Sequence, residues 1–479
     1  MRFAFSRFLA NFVPMVDFQD LSRLDLDTPG NQSYVGKWGK GLSETLVRNI
    51  SAEKNEPQWV LDIRLKALEV FHKQSFPTWG PDISSLDLEN ICFYAAADQD
   101  SNQKSWDDVD PEIKATFERL KIPESERAYL AGVGAQYDSE MVYHNLKSEW
   151  EEQGVIFLDF DVAIQKHSEL VKEYFTKCIP IHDHKFSALH YAIFSGGTFL
   201  YVPAGVKLDQ PLQAYFRMNA QNGGQFEHTL IVVEEGAEVE YIEGCSAPKF
   251  GSNSLHAGGV EVFVAEKARV RYSSVENWST DTFNLNTKRA LVKDFGVMEW
   301  VGGNLGSQTT MLYPCSLLVG DYARADHLGV AFANKNQNQD TGAKIIITGK
   351  KCRATVVSKS LSKGGGISTY RGLISVEKSA DNATVNIECD ALMLDGVSVS
   401  DTIPHIVCKN DSASITHEAS AGKISEEVLM YFESRGIEEE VAKGIVVNGF
   451  LNEVVKTLPL EYAGELNRLI ELEMEGSIG

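Results

Sequence analysis

The chain lacks any apolar run near the roughly 18–20 residues that a membrane helix needs. It lacks closely spaced cysteines as well. Seven are scattered, at Cys92, Cys178, Cys245, Cys315, Cys352, Cys389 and Cys408. No C-x-x-C occurs, which excludes a closed zinc knuckle and a thioredoxin-type pair, and dispersed free thiols suit a reducing cytoplasm. Basic charge is short: 45 Lys and Arg face 67 Asp and Glu, for a net charge of −22. That balance excludes wrapping nucleic acid, which requires a basic footprint. No G-x-x-x-x-G-K-[ST] is found, and Lys363-Gly364-Gly365-Gly366 runs into Ile367-Ser368 and reads as a loop. G-x-S-x-G and H-E-x-x-H are missing, since His417-Glu418 is followed by Ala419-Ser420. Met1–Ala10 is apolar and basic like a targeting segment, yet Arg7 and Asn11 interrupt it and no A-x-A follows before Asp17–Asp25. It reads as a short tail, with translation from Met15 as the alternative.

What remains is an ordinary globular composition, 43% hydrophobic and 23% charged. At 479 residues the chain exceeds one hydrophobic core. Residues 1–150 read as mainly helical: an amphipathic helix within Asn55–Trp79, another within Asp107–Leu120, and a third beginning at Pro123-Glu124-Ser125. The aromatic residues there read as core. From about Gln153 short alternating runs recur, among them Thr198–Val202, Thr229–Val233, Val260–Val264 and Lys344–Ile347. Gly236–Tyr241 resembles Lys267–Tyr272, 31 residues on, and Phe295–Trp300 follows 28 later. Asn382–Ile387 and Ser412–His417 repeat the shape at 30. A small residue followed by apolar residues at every second place is what a stacked coil needs, so 151–422 is expected to be a parallel β-helix rather than a sandwich. After Lys423 helical spacing returns, with Ser425 as N-cap. The helices of 423–479 either cap the β-helix end or bind a partner.

Candidate chemistry gathers in Ser379–Ala421. The offset of 30 sets Glu388 against Glu418 and Cys389 against Ala419, so Cys389 lies beside His417 and Glu418. A thiolate, an imidazole and carboxylates are then within reach of one soft or borderline metal, although a plain buried cysteine satisfies the composition equally. His182-Asp183-His184 offers an i, i+2 pair without a third ligand and reads as a surface loop. Cys245, beside Gly244 and a Pro248 turn, is expected at an exposed strand end, with Arg217 and Lys288-Arg289 near enough to lower its pKa. An inert buried thiol is the competing reading.

Longer stretches are similar to the SufB/SufD family of the SUF iron–sulfur cluster assembly system, on its SufB side. They include Gly196–Val206, Pro211–Asn219, Tyr241–Pro248, Ser254-Leu255-His256, Asn277-Trp278-Ser279, Thr287–Ala290, Cys389–Leu392 and His417-Glu418-Ala419. Glu56–Trp59, Pro77–Gly80, Asn448-Gly449-Phe450 and Glu473–Ser477 extend the likeness from about Gly30 to the end. The resemblance implies a mainly β fold: a right-handed parallel β-helix core flanked by N-terminal and C-terminal helical domains. It implies a non-enzymatic, cytoplasmic scaffold that holds an iron–sulfur cluster transiently and takes iron. The expected partners are the ATPase SufC, docked on the C-terminal helices, the paralogue SufD, a sulfur donor of the SufS/SufE or SufU type, and apo iron–sulfur proteins, with no nucleic acid or membrane. Participation of a reduced flavin stays open. Cys245 matches the sulfur acceptor, and Arg217, Asn219, Glu276, Trp278 and Lys288 match the interior sulfur path. Cys389, Glu418 and His417 match the cluster ligands at the SufD interface. Glu276 stands where Gln is expected, Thr416 where some members carry a carboxylate, and an N-terminal C-x-x-C-x-x-x-C is absent. The rival readings are a SufD-like structural partner and a β-helix carbohydrate-active enzyme, for which Asp390 with Glu388 is the sole carboxylate pair.

Overall fold

Alternating runs that pair with the next coil rather than with their sequence neighbour build the centre of this protein. The computed structural model describes residues 21–30, 34–37, 40–97, 103, 105–120, 130–456 and 460–475. The helix start at Pro123 and the N-terminal tail lie outside them. One parallel sheet runs through Leu212–Arg217, Glu238–Ser246, Arg269–Trp278, Val297–Gly306, Arg324–Ala333, Arg353–Ser362, Thr384–Met393 and Ser414–Lys423. A second carries the alternate strands, from Gly197–Val202 to Val399–Cys408. This is a parallel β-helix, as the repeats predict. The register follows the sequence offsets: Tyr241 pairs with Tyr272, Tyr272 with Trp300, and Glu388 with Glu418.

The small residue of each repeat has a mechanical cause. Gly236, Lys267, Phe295, Tyr322, Lys351 and Asn382 all adopt positive φ at the same corner of successive coils. The tight turn forces the next side chain straight into the coil, and Ala237, Ala268, Ala323, Cys352 and Ala383 fill that place fully buried. Inside, Tyr241, Tyr272 and Trp300 stack at centroid distances of 5.3 and 5.1 Å.

The two ends differ. At the N-terminal end the antiparallel strands Glu140–Leu146 and Ile156–Asp159 close the two sheets. At the other end Val399–Cys408 and Ser414–Lys423 each have, among the described residues, a neighbour on one side only. N-terminal helices Glu44–Glu53 and Gln58–Lys73 pack on Lys185–Ile193. There the buried Arg64 is paired with Glu56 at 2.5 Å and donates to the Ala192 and Phe194 carbonyls. His182 and Asp183 lie in a loop, and His184 caps Lys185–Ile193 by accepting from the Ser187 N–H. The C-terminal helices Glu439–Val455 and Leu460–Glu475 do not cap the open end. Their Leu451, Val454, Leu466 and Ile470 cover the outer face of the first sheet, over Val275, Val301 and Val330. Among the described residues no helix is long and apolar enough to cross a membrane.

Candidate functional site

Strand alternation sorts the first sheet into columns that run along the helix axis, one residue per coil. Three of the inward-facing columns carry the candidate residues. One reads Tyr241, Tyr272, Trp300, His327, Val356, Ile387, His417. The next reads Glu243, Ser274, Gly302, Gly329, Ser358, Cys389, Ala419, and the third begins Cys245, Glu276, Asn304. Cys245 and Cys389 therefore open onto one lumen, five coils apart. At about 4.8 Å per coil they are roughly 24 Å from each other, too far for direct transfer.

Around Cys245 the lumen is polar. Lys288 Nζ donates to Glu276 at 2.8 Å, to Glu243 at 3.2 Å and to Ser274 at 3.3 Å. Glu276 also accepts from Trp278 Nε1 at 3.3 Å and Asn284 Nδ2 at 2.6 Å. His256 bridges Asn284 and Glu227 at 2.9 and 2.6 Å, its ring 4.2 Å from that of Trp278. Burial alone would raise Glu276, but the charges of Lys288 and His256 and the bonds from Lys288 and Asn284 hold it below the usual carboxylate value. Burial raises Glu243 against the pull of Lys288.

The expectation of an exposed, acidified Cys245 is overturned. Its strand continues to Ser246 and the thiol is 1% exposed. Burial, then Glu243, Glu276 and Glu227, push its pKa well up, and Lys288 offsets only part. Arg217 stands in register with Ser246, on the opposite face from Cys245. It donates to Ser246 at 3.0 Å and to the Leu26 and Thr28 carbonyls. Asn219 is bound farther out, to Gly30 and Asp138. Arg289 faces outward onto Asp183. Of the expected path residues, Glu276, Trp278 and Lys288 thus meet Cys245 in the lumen, while Arg217 and Asn219 stand outside it. Glu227, Glu243, His256, Ser274 and Asn284 complete the array and were given no role by sequence. The signal was present, because the offset of 31 sets Cys245 against Glu276 and Glu243 against Ser274.

At the other end Cys389 is 4% exposed and faces the Tyr370 hydroxyl, without a hydrogen bond of ordinary geometry between them. Burial raises this thiol to about 12, with Asp390 and Glu388 adding to the shift and Tyr370 opposing it. His417 lies one coil on, its ring 6.5 Å from Tyr370 and its Nε2 buried without a partner. Glu418 alternates outward beside Glu388 and is exposed. On that outer face Lys359 pairs with Asp390 and Glu388. Thr416 donates to Asn386 at 2.7 Å. Among the described residues no three His, Cys, Asp or Glu side chains converge to hold a metal. A soft thiolate and an imidazole share the lumen at the open end, and a carboxylate stands at its outer edge.

Known proteins share this arrangement's sequence. Residues 48–214 match the family described as SufBD protein N-terminal region, and residues 216–450 match SUF system FeS cluster assembly, SufBD core domain. Iron–sulfur cluster assembly SufBD family proteins of Staphylococcus haemolyticus and Staphylococcus epidermidis are each 52% identical over 440 residues, 92% of this chain and 94% of theirs. The same values hold for one from Staphylococcus aureus strain MRSA252. A β-helix with two thiols five coils apart in its lumen, matched over both family regions, belongs to the SufBD family of the SUF iron–sulfur cluster assembly system.

Proposed function

We propose that this chain is the SufB-type scaffold, a non-enzymatic protein that receives persulfide sulfur at Cys245 and builds a cluster at Cys389. The supporting observation is the continuous inward column from Glu243, beside Cys245, to Cys389. In loading, Cys245 sulfur attacks the outer sulfur of a donor persulfide. A new S–S bond forms, the donor S–S bond breaks, and the donor thiolate leaves with the electron pair. Glu243, whose carboxyl burial holds high, takes the Cys245 proton. Conversion of sulfane sulfur to sulfide takes two electrons, and a reduced flavin in the assembled complex is the reductant that fits. Iron meets sulfur at Cys389, with His417 and Glu418 as the remaining donors from this chain. Weakly held terminal imidazole or carboxylate ligands favour later release of the cluster to an apo-protein. The open coil end takes the SufD paralogue, and the C-terminal helices, whose Met430, Tyr431 and Val441 stay exposed, take the ATPase SufC. The cytoplasm is the compartment this chemistry suits.

Anaerobic reconstitution of the complex with ferrous iron and sulfide tests the assignment. Cys389→Ala should lose the visible cluster absorbance, and an unchanged spectrum overturns the site. Mass spectrometry after incubation with a persulfide donor should place one added sulfur on Cys245. Its absence there would favour the SufD-like reading.

A further inference from the structure

On the scaffold reading a sulfur donor has to reach Cys245, a thiol that is 1% exposed. The thiol lies two residues before the corner Ala247–Asn253, which carries the chain over to the strand Ser254–His256 of the second sheet. Ala247 and Pro248 are buried there, Ala247 in the same apolar cluster as Cys245. Polar bonds anchor the rest of the corner. Phe250 and Gly251 N–H donate to Asp281 Oδ2 at 3.0 and 2.7 Å, and Asn253 Nδ2 to the Ser85 carbonyl at 2.8 Å. Lys249 N–H donates to the Asp27 carbonyl at 3.1 Å, which ties the corner to the N-terminal region.

Asp27 belongs to the segment Leu21–Gly30, one short helix capped by Ser22, which crosses the ends of the strands closing on Arg217, Ser246 and Trp278. It buries Leu21 and Leu26, and what holds it otherwise is polar. Arg217 donates to the Leu26 and Thr28 carbonyls at 3.1 and 3.3 Å, and Arg119 donates to the same Thr28 carbonyl at 2.9 Å. Asn219 grips both the N–H and the carbonyl of Gly30, at 2.8 and 3.2 Å. The C-terminal helix braces the other end, through Arg468 on the Leu21 carbonyl at 3.0 Å and Glu473 on Arg23 at 3.1 Å. The seat at Gly30 is close: an added Cβ would lie 2.5 Å from the Tyr137 hydroxyl. A segment held by main-chain bonds and two apolar side chains opens at less cost than the sheet beneath it.

Electrostatics favour release. Two guanidiniums converge on one carbonyl, and the Nε of each is buried without a partner. Among the described residues neither forms an ion pair, and Arg217 is fully buried. Carbonyl groups repay only part of the cost of burying a cation. Lifting the segment wets both arginines, which offsets the hydrogen bonds that opening breaks. We propose that Leu21–Gly30 is a strap that latches the corner Ala247–Asn253 shut over Cys245, and that its release admits a persulfide donor to the thiol. The inference rests on the scaffold reading. It gives Arg217 and Asn219, which stand outside the lumen, the work of holding the strap.

Full-length protein is treated with iodoacetamide at neutral pH, and the alkylation rate of each cysteine is read by peptide mapping. Gly30→Val drives the strap against Tyr137, and Arg23→Ala cuts its ties to Glu473 and Asn277. Loss of one charged hydrogen bond shifts an opening equilibrium by about tenfold, so Cys245 should react about tenfold faster in either variant. Cys178, Cys315 and Cys389, buried elsewhere, should keep their wild-type rates, and the melting temperature should hold. An unchanged Cys245 rate in both variants overturns the strap, as does an acceleration shared by all the buried cysteines. A persulfide donor separates this proposal from the reading beneath it. Faster alkylation with no sulfur gained at Cys245 would sink the scaffold reading and leave the strap standing. Sulfur gained there at the wild-type rate in both variants would sink the strap alone.

Discussion

Lys288 decides the electrostatics of the lumen. It is 2% exposed and lies between Glu243 and Glu276, so two carboxylates share one ammonium. The folded pKa of Lys288 is raised, mainly because the two carboxylates outweigh its burial. Its contribution to stability is therefore full below the unfolded lysine value, about 10.4, and is lost as pH climbs through the folded one. Glu276 is lowered, so its contribution is present above about pH 4.3 and fades as pH falls. Lys288→Met leaves both carboxylates buried without their shared ammonium, with the His256 charge alone still beside Glu276, which should cost about 3–5 kcal/mol. In the variant both carboxylates should have raised pKa values, so its stability should fall as pH rises through neutrality. Thermal melts from pH 4 to pH 9 check this, and a wild-type pH profile would refute the pairing. The thiols give a second test at this scale. Cys408 is the exposed one among seven cysteines, whereas Cys245 and Cys389 are buried with raised pKa values. Brief iodoacetamide treatment of the isolated native chain should alkylate Cys408 first, and peptide mapping should find Cys245 unmodified. Early labelling at Cys245 would contradict its burial.

At the scale of one coil, the turn and the small residue after it act together. Lys267 takes a φ of 58°, and Ala268 behind it is fully buried. Ala268→Leu must force a larger side chain into a filled corner, an overpacking cost of about 1–3 kcal/mol. Chemical denaturation should show that loss, while the same change at exposed Ala419 should cost little. The coil was readable beforehand because its period is carried by such residues. Ala237, Ala268 and Ala383 mark the corners, and the offsets of 31, 28 and 30 set the register. Helix starts such as Ser425 were readable for the same local reason, a side-chain oxygen accepting from Val428 N–H. What the pattern could not carry was the inward or outward sense of residues near strand ends. Cys245 seemed to end its strand because Gly244 and Pro248 flank it, yet pairing with Phe216 and Glu276 holds it in the sheet. Arg217 is one residue further along than Phe216, and that single step moves it from the lumen to the far face. The C-terminal segments carried apolar residues at helical spacing, but nothing local distinguished the open coil end from the sheet face they cover.

The whole molecule is asymmetric along its axis, and this asymmetry is where partner binding has to be explained. Antiparallel strands end the sheets at one side, so no parallel template is offered there. The other side presents two strand edges unpaired among the described residues, a form that single chains ordinarily blunt with charge, bulges or proline. Pro404 interrupts the donor row of Val399–Cys408, but Ser414–Lys423 contains no proline. The apolar side chains at this end are Val397, 72% exposed, and Val399, Ile403 and Ile406, 40–42% exposed. His417 lies on the edge strand itself and Cys389 one strand in, so a second coil stacked there would enclose them and add donors of its own. A lysine introduced at Val399 and at Ile406 places two charges on a surface that a partner coil must desolvate. The double variant Val399→Lys/Ile406→Lys should keep the fold and melting temperature of the isolated chain, because these sites are already solvated. Its affinity for a SufD-type partner, measured by sedimentation, should drop by more than about tenfold, equivalent to 1.4 kcal/mol. Cluster yield in the mixture should fall in parallel, and yield at Cys389 without the partner should be low for both proteins. Undiminished pairing by the double variant would move the interface elsewhere, and full cluster yield from the isolated chain would make the enclosing partner unnecessary.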